Sequence, residues 1–148
     1  MSIATLDEAL ARDIEPTVAP PRQRLRAVRM LADAGITVNV ALAPVLPHIT
    51  DAPESIDAVV QAAREAGAAK VWHNTLYLHD ITRDSFFAYL REYQPELIAR
   101  YAREYRGTYA PRAIADAIET RVKDATSRHP ARATPRIRSE AAVQLSLI

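Results

Sequence analysis

The chain has no cysteine, which removes disulfides, thiol nucleophiles, thiolate zinc sites and every ligand set for an iron–sulfur cluster. Glycine is almost as scarce. Gly35, Gly67 and Gly107 stand too far apart for a phosphate-cradling loop or a dinucleotide fingerprint, both of which need clustered glycines. No apolar run is long enough to span a membrane. The opening MSIATLDEALARD carries acids where a secretory leader would carry a basic flank and an apolar centre, so a cytoplasmic protein with no membrane partner is expected. Compact His motifs are also lacking. His48 and His79 each have an aspartate nearby, Asp51 and Asp80, but at no spacing that marks a zinc site, and no metal ligand is assigned.

What is present is the composition of one globular domain: 148 residues, 49% hydrophobic and 25% charged. The net charge of +1 hides an asymmetry, because nine Lys/Arg face thirteen Asp/Glu over residues 1–99 and ten face four over residues 100–138. A basic third can meet phosphates. Solvated helix faces and an arginine-bearing tail are the simpler account, since no aromatic stacking pattern accompanies the arginines of TSRHPARATPRIR.

Three strand-like runs, SIATL (2–6), ITVNVALAPV (36–45) and KVWHNTLYL (70–78), alternate with helical ones. Leu25, Val28, Leu31 and Ala32 recur at helical spacing before Gly35, and Ile56, Val59, Val60 and Ala63 do so before Gly67. Asp51 with Glu54 reads as a capping box opening the second of these helices. Strands joined by such helices lie parallel in one sheet, and ligands collect at their carboxyl ends. Pro44 and Pro47 fall at that end, where they are expected to stop ladder pairing and stiffen the loop APVLPHITD.

Past residue 83 the stripes Phe86, Phe87, Tyr89, Leu90 and Tyr93, then Leu97, Ile98, Tyr101 and Tyr105, read as helices covering the sheet rather than as a base-stacking surface. A last helix presents Ile114, Ile118 and Val122, and His73 reads as a core or interface residue. The expected organisation is three strands and two helices over residues 1–83, a helical extension over 84–130, and a mobile tail over 131–148 with an apolar end, VQLSLI.

Ser2, Thr5, Leu6, Asp7 and Glu8, then Glu15 and Pro16, Arg24 and Leu25, Ala34, Gly35 and Ile36, and finally Pro44, Pro47 and Asp51 form a joint pattern. Over about residues 2 to 130 the chain resembles the C-terminal half of radical S-adenosylmethionine (radical SAM) proteins, in the spore photoproduct lyase-like branch. The resemblance implies an α/β fold comprising the last three βα units of a six-unit partial (β/α) barrel, with C-terminal helices added. It also implies a family reaction in which a [4Fe-4S] cluster cleaves S-adenosylmethionine reductively and the resulting 5′-deoxyadenosyl radical abstracts hydrogen from substrate. The family's cluster ligands lie in a C-x-x-x-C-x-x-C loop that this sequence does not contain.

For S-adenosylmethionine the resemblance implies contacts from Ser2 and Thr5 to ribose or the methionine moiety, from Ala43, Pro44 and Val45 to adenine, and from the backbone around Leu78 and His79 to the adenine edge. For Ser2 and Thr5, a strand-end hydroxyl that satisfies a nearby amide or caps a helix is an equally good reading. His48 stands where the family's loop usually has glycine. The expected function is the C-terminal part of a radical SAM enzyme, inactive alone; the alternative is a non-catalytic binding or interaction module of the same descent. Expected partners are the N-terminal barrel half or a second copy joined at an open sheet edge. Nucleic acid enters by family relation alone.

Overall fold

In the apolar run at 39–45, Val40, Ala41, Leu42 and Val45 are buried, and the rest of the chain is arranged around them. In the computed structural model, which describes residues 1–131, the order is helix α1 (Glu8–Ile14), helix α2 (Pro21–Asp33), strand β1 (Asn39–Val45), helix α3 (Pro53–Glu65), strand β2 (Lys70–Thr75), helix α4 (Asp80–Tyr93), a 3-10 turn (Pro95–Leu97), helix α5 (Ile98–Glu104) and helix α6 (Arg112–Arg128). Strands β1 and β2 pair in parallel, Asn39 opposite Lys70 through Leu42 opposite His73. On its other side β1 is flanked by the start of the chain: Ile3 N donates to Ala41 O and Ala41 N to Met1 O, each at 2.8 Å.

Successive side chains of a strand point to opposite faces, so β1 and β2 have a helix side and an open side. Val40 and Leu42, both buried, enter a core with Ile3, Val28, Ile56 and Ile118 under α2, α3 and α6. Burying each such side chain contributes about 1.5–3 kcal/mol. Trp72, opposite Ala41, lies on the open side and keeps 51% of its surface in water. A second core forms beyond the carboxyl ends of the strands, where Leu46, Leu76, Leu78, Leu90, Tyr101 and Tyr105 pack together under α4 and α5.

The partial (β/α) barrel of three βα units does not form. The described residues make a small α/β domain of six helices with a two-stranded parallel sheet. SIATL contributes one bridge, Ser2 with Ala41. The reason is local, since the Thr5 hydroxyl accepts from Asp7 N and the Asp7 carboxylate accepts from Ala9 N and Leu10 N. These bonds commit the backbone to a helix start rather than to a ladder. The 70–78 run is likewise cut short, because beyond Thr75 it turns to meet Tyr109 antiparallel at Tyr77.

Pro44 does not end β1. The register shifts between Leu42 and Val45, as a residue without an N–H requires, and pairing resumes with Val45 opposite Thr75 and Leu76 N donating to Val45 O at 2.9 Å. Nor does Asp51 cap α3, whose N-cap is Ala52 with Pro53 at the first helical position, where a missing N–H is harmless. The expectations for the tail concern residues that, after Ala131, lie outside the described ones. Among the described residues no helix is long and apolar enough to cross a membrane.

Gly35 and Gly67 follow α2 and α3 with φ of 75° and 97°. At Gly67 a second constraint acts, since an added Cβ would lie 2.7 Å from Ala32 Cβ. Gly67→Ala therefore carries both a left-handed backbone penalty of about 1–2 kcal/mol and a clash between α2 and the end of α3. In urea denaturation Gly67→Ala is expected to lose more than that penalty alone, and Ala32→Gly in the same chain to restore only the excess. Full restoration by Ala32→Gly would show that the backbone penalty is absent.

Candidate functional site

The loop leaving β1 is built as a tight turn: Thr50 N donates to Leu46 O at 2.9 Å and Leu46 N to the Thr50 hydroxyl at 2.8 Å. His48, at the tip, has φ 66°, the left-handed conformation that glycine adopts without strain. Three sets of bonds hold it there. His48 N donates to Asp51 Oδ1 at 2.7 Å, its Nε2 lies 2.8 Å from Glu104 Oε2 on α5, and its ring meets Tyr101 edge-on. Arg121 of α6 donates to both Asp51 O and Asp51 Oδ2 at 2.8 Å. The buried hydroxyl of Tyr101 donates to Pro47 O, and that of Tyr105 donates to Leu76 O at 3.0 Å.

Burial raises both tyrosine pKa values well above the ordinary range, so these hydroxyls remain donors at any physiological pH. Burial also pulls the Glu104 carboxyl up, but hydrogen bonds from His48 and Arg100 and their charges outweigh it, leaving Glu104 below the usual carboxylate range. Across the domain, His129 and Arg128 lower Asp57 in the same way. His73 faces α6, and burial lowers its pKa against the opposing pull of Glu119.

Beside this loop the carboxyl end of β1 opens on a pocket of about 270 Å³. Ile14, Pro44, Leu46, Leu76, Phe86 and Tyr89 form its apolar walls, and Glu15, Thr82 and Ser85 supply polar groups. Glu15 is held by Arg24, whose guanidinium is nearly buried and bonds Glu15 Oε2 at 2.8 Å, Ser2 O at 2.9 Å and Ala19 O at 2.7 Å. A pocket with an apolar body and a few fixed polar groups suits a small molecule of the same mixed character. A separate hollow of about 240 Å³ between α1 and the segment 16–20 lies away from the loop.

Of the residues proposed from sequence, only Pro44 lines the pocket at the strand ends. Ala43 is half-buried next to it. Ser2 sits beside the middle of β1 and takes part through its backbone, while the buried Thr5 hydroxyl receives Asp7 N. Val45 and Leu78 are fully buried, in the two different cores. His79 is the exposed N-cap residue of α4, with Nδ1 3.5 Å from Asp80 Oδ2. Glu15, Thr82, Ser85, Glu104 and Arg121 were not singled out as site residues. Glu15 belonged to the resemblance, but nothing in the spacing linked Glu104 to His48 or Arg121 to Asp51 across more than fifty residues.

The cofactors implied by the resemblance are corrected for this chain. A [4Fe-4S] cluster needs thiolates, the sequence has none, and among the described residues no group of three or more His, Cys, Asp or Glu could hold a metal.

The chain is 36% identical over 123 residues to an uncharacterized protein of Mycobacterium tuberculosis, a match covering 82% of this chain and 36% of that protein. An uncharacterized protein of Mycobacterium bovis matches to the same extent. An uncharacterized protein of Acidianus two-tailed virus is 32% identical over 80 residues, covering 52% of this chain and 27% of its own length. The chain thus spans about a third of the length of the mycobacterial relatives it matches. No family model and no solved structure matches the chain.

His48→Ala removes the bond to Glu104 and keeps the left-handed strain, whereas His48→Gly removes both. His48→Gly is therefore expected to be the more stable variant by about 1 kcal/mol in urea denaturation; equal stabilities would refute the strain. Glu104 and Asp57 have folded-state pKa values below their unfolded ones, so each adds stability above the unfolded value that is lost as pH falls through the folded one. The urea midpoint is expected to drop between about pH 5 and about pH 3, and to drop less in Glu104→Gln. An identical drop in Glu104→Gln would remove Glu104 from this account.

Proposed function

We propose that this chain is the C-terminal part of a larger enzyme of radical SAM type, in the spore photoproduct lyase-like branch, and that it has no activity alone. The reading is carried by the joint pattern from Ser2 to Asp51. Its members Ser2, Glu15 and Arg24 meet through one guanidinium beside the strand-end pocket. The greater length of the mycobacterial relatives supports it, since they have room for the cysteine-bearing chemistry this chain lacks. In this reading the chain contributes the walls of the pocket and the fastened loop, and polypeptide outside it contributes the cluster. A cytoplasmic setting goes with the reading, because reducing compartments keep thiolate ligands unoxidised. Nucleic acid is the substrate class that the family relation suggests.

A second reading, a non-catalytic binding module, is favoured by one observation. The loop at the strand ends is fastened by the chain's own α5 and α6, through Glu104, Tyr101 and Arg121, and needs no other polypeptide to hold it. The two readings separate on the whole M. tuberculosis relative, purified anaerobically and reconstituted with iron and sulfide. The enzyme reading expects [4Fe-4S] absorbance and, with a reductant, 5′-deoxyadenosine from S-adenosylmethionine. A whole relative that holds no cluster would sink it. This chain, treated alike, is expected to take up no stoichiometric cluster.

A further inference from the structure

We propose that the pocket at the carboxyl end of β1 binds a primary amine carried on an aromatic ring by a short arm, a monocation with no carboxylate or phosphate of its own. The assignment deepens the reading of this pocket as a small-molecule site and rests on it. It stands with either reading of the whole protein, because it concerns what this chain holds alone. In the enzyme reading the amine is a substrate rather than S-adenosylmethionine, whose methionine end carries a carboxylate.

Size and lining set the body of this ligand. The pocket measures about 270 Å³, and a cavity of about 150 Å³ already holds a benzene ring, so a ring with a short arm fills the space. Phe86 and Tyr89 stand side by side in the wall, their ring centroids 5.8 Å apart and the planes 31° from parallel. Tyr89 offers its ring there rather than its hydroxyl, whose oxygen is closed off from water and has no hydrogen-bond partner among the described residues. A second ring packs well against such side chains, and their quadrupoles attract a cation.

Charge sets the end of the arm. Among the described residues that line the pocket, Glu15 alone is charged. Its Oε2 accepts from Arg24 at 2.8 Å, whereas Oε1 has no donor among the described residues, and the side chain keeps 30% of its surface in water. Burial and then the negative charge of Asp13 raise the Tyr89 pKa, so the field of a second carboxylate reaches the same wall. The Arg24 guanidinium, already taken by three acceptors, offsets one of these two charges and leaves the other. A carboxylate or phosphate on a ligand would meet no cation in this lining and would be repelled by Glu15. An ammonium meets Glu15 Oε1 in a charge-assisted bond, and the hydroxyls of Thr82 and Ser85, three residues apart on one face of α4, are further acceptors.

Amide chemical shifts of the 148-residue chain, followed as 2-phenylethylamine is added, test the proposal. Saturable shifts are expected at Glu15, Thr82, Ser85 and Phe86. The carboxylate 3-phenylpropionate, with the same ring and arm, is expected to bind about tenfold more weakly or worse, and Glu15→Gln to weaken the amine by about tenfold, the loss of one hydrogen bond to a charged group. Because Glu15→Gln also unpairs Arg24, Ser85→Phe serves as a second variant: it fills the pocket from an exposed rim position, leaves Glu15 and Arg24 as they are, and is expected to abolish binding. Amine binding that survives Ser85→Phe, or that is unchanged in a folded Glu15→Gln, would overturn the proposal. So would equal affinity for the amine and the carboxylate, or no saturable shift at these residues. None of these results bears on the cluster of the whole relative, and a relative without a cluster would leave the amine site standing.

Discussion

Strand β1 has neighbours on both edges, residues 1–3 on one side and β2 on the other, and this double pairing is the constraint on which the rest depends. A strand held on both edges satisfies its backbone groups inside the protein, so its side chains can be almost wholly apolar without leaving polar groups stranded. Val40, Leu42 and Val45 are each at most 1% exposed, and helices α2, α3 and α6 have a surface to cover because of them. The carboxyl end of β1 is consequently a fixed point. The pocket wall at Pro44 and Leu46, and the turn carrying His48, take their positions from it.

Arg24 performs the corresponding task on the amino-terminal flank. Its guanidinium ties the backbone of Ser2, the loop carbonyl of Ala19 and the carboxylate of Glu15 to helix α2 while only 7% exposed. A nearly buried guanidinium is costly unless its donors are matched, and three of them are. Removing Glu15 alone would leave an uncompensated charge, whereas the carbonyl partners alone could not balance it. Glu15 and Arg24 are thereby required together, a physical reason for that pair to occur as a set, whereas position 2 contributes a backbone carbonyl that any residue would supply.

The features legible in the sequence are those decided locally. The apolar positions of α2 and α3, their closing glycines and the parallel pairing of 39–45 with 70–75 follow from periodicity and from backbone conformation at Gly35 and Gly67. The aromatic stripe is legible as core at Tyr101 and Tyr105 because the two stand one helical turn apart, in α5 and at its C-cap. Where a residue had two local options, the outcome depended on distant partners. Asp51 could cap α3, but Arg121, seventy residues on, and the amide of His48 take its carboxylate instead. SIATL could have been a full strand, but Asp7 serves α1 and shortens it to one bridge. The pocket's polar groups come from the C-cap of α1 and from α4, elements whose approach to β1 no spacing records.

His48 shows how the strand-end loop was resolved in this chain. Glycine at that position would accept the left-handed backbone freely but offer nothing for α5 to hold. Histidine accepts the strain and gains Glu104 and a perpendicular contact with Tyr101, so the loop exchanges local freedom for attachment to the helical extension. The attachment runs through Glu104, Tyr101 and Arg121, each on a helix that follows the sheet in sequence. A strand-end loop so fixed holds one conformation before any ligand arrives, so little ordering entropy remains to oppose binding. The open side of the sheet, at Ser2, Trp72 and Asn74, has no such attachment among the described residues. In either proposed reading, any further polypeptide has this side left to meet, while the pocket side is already shaped by the chain itself.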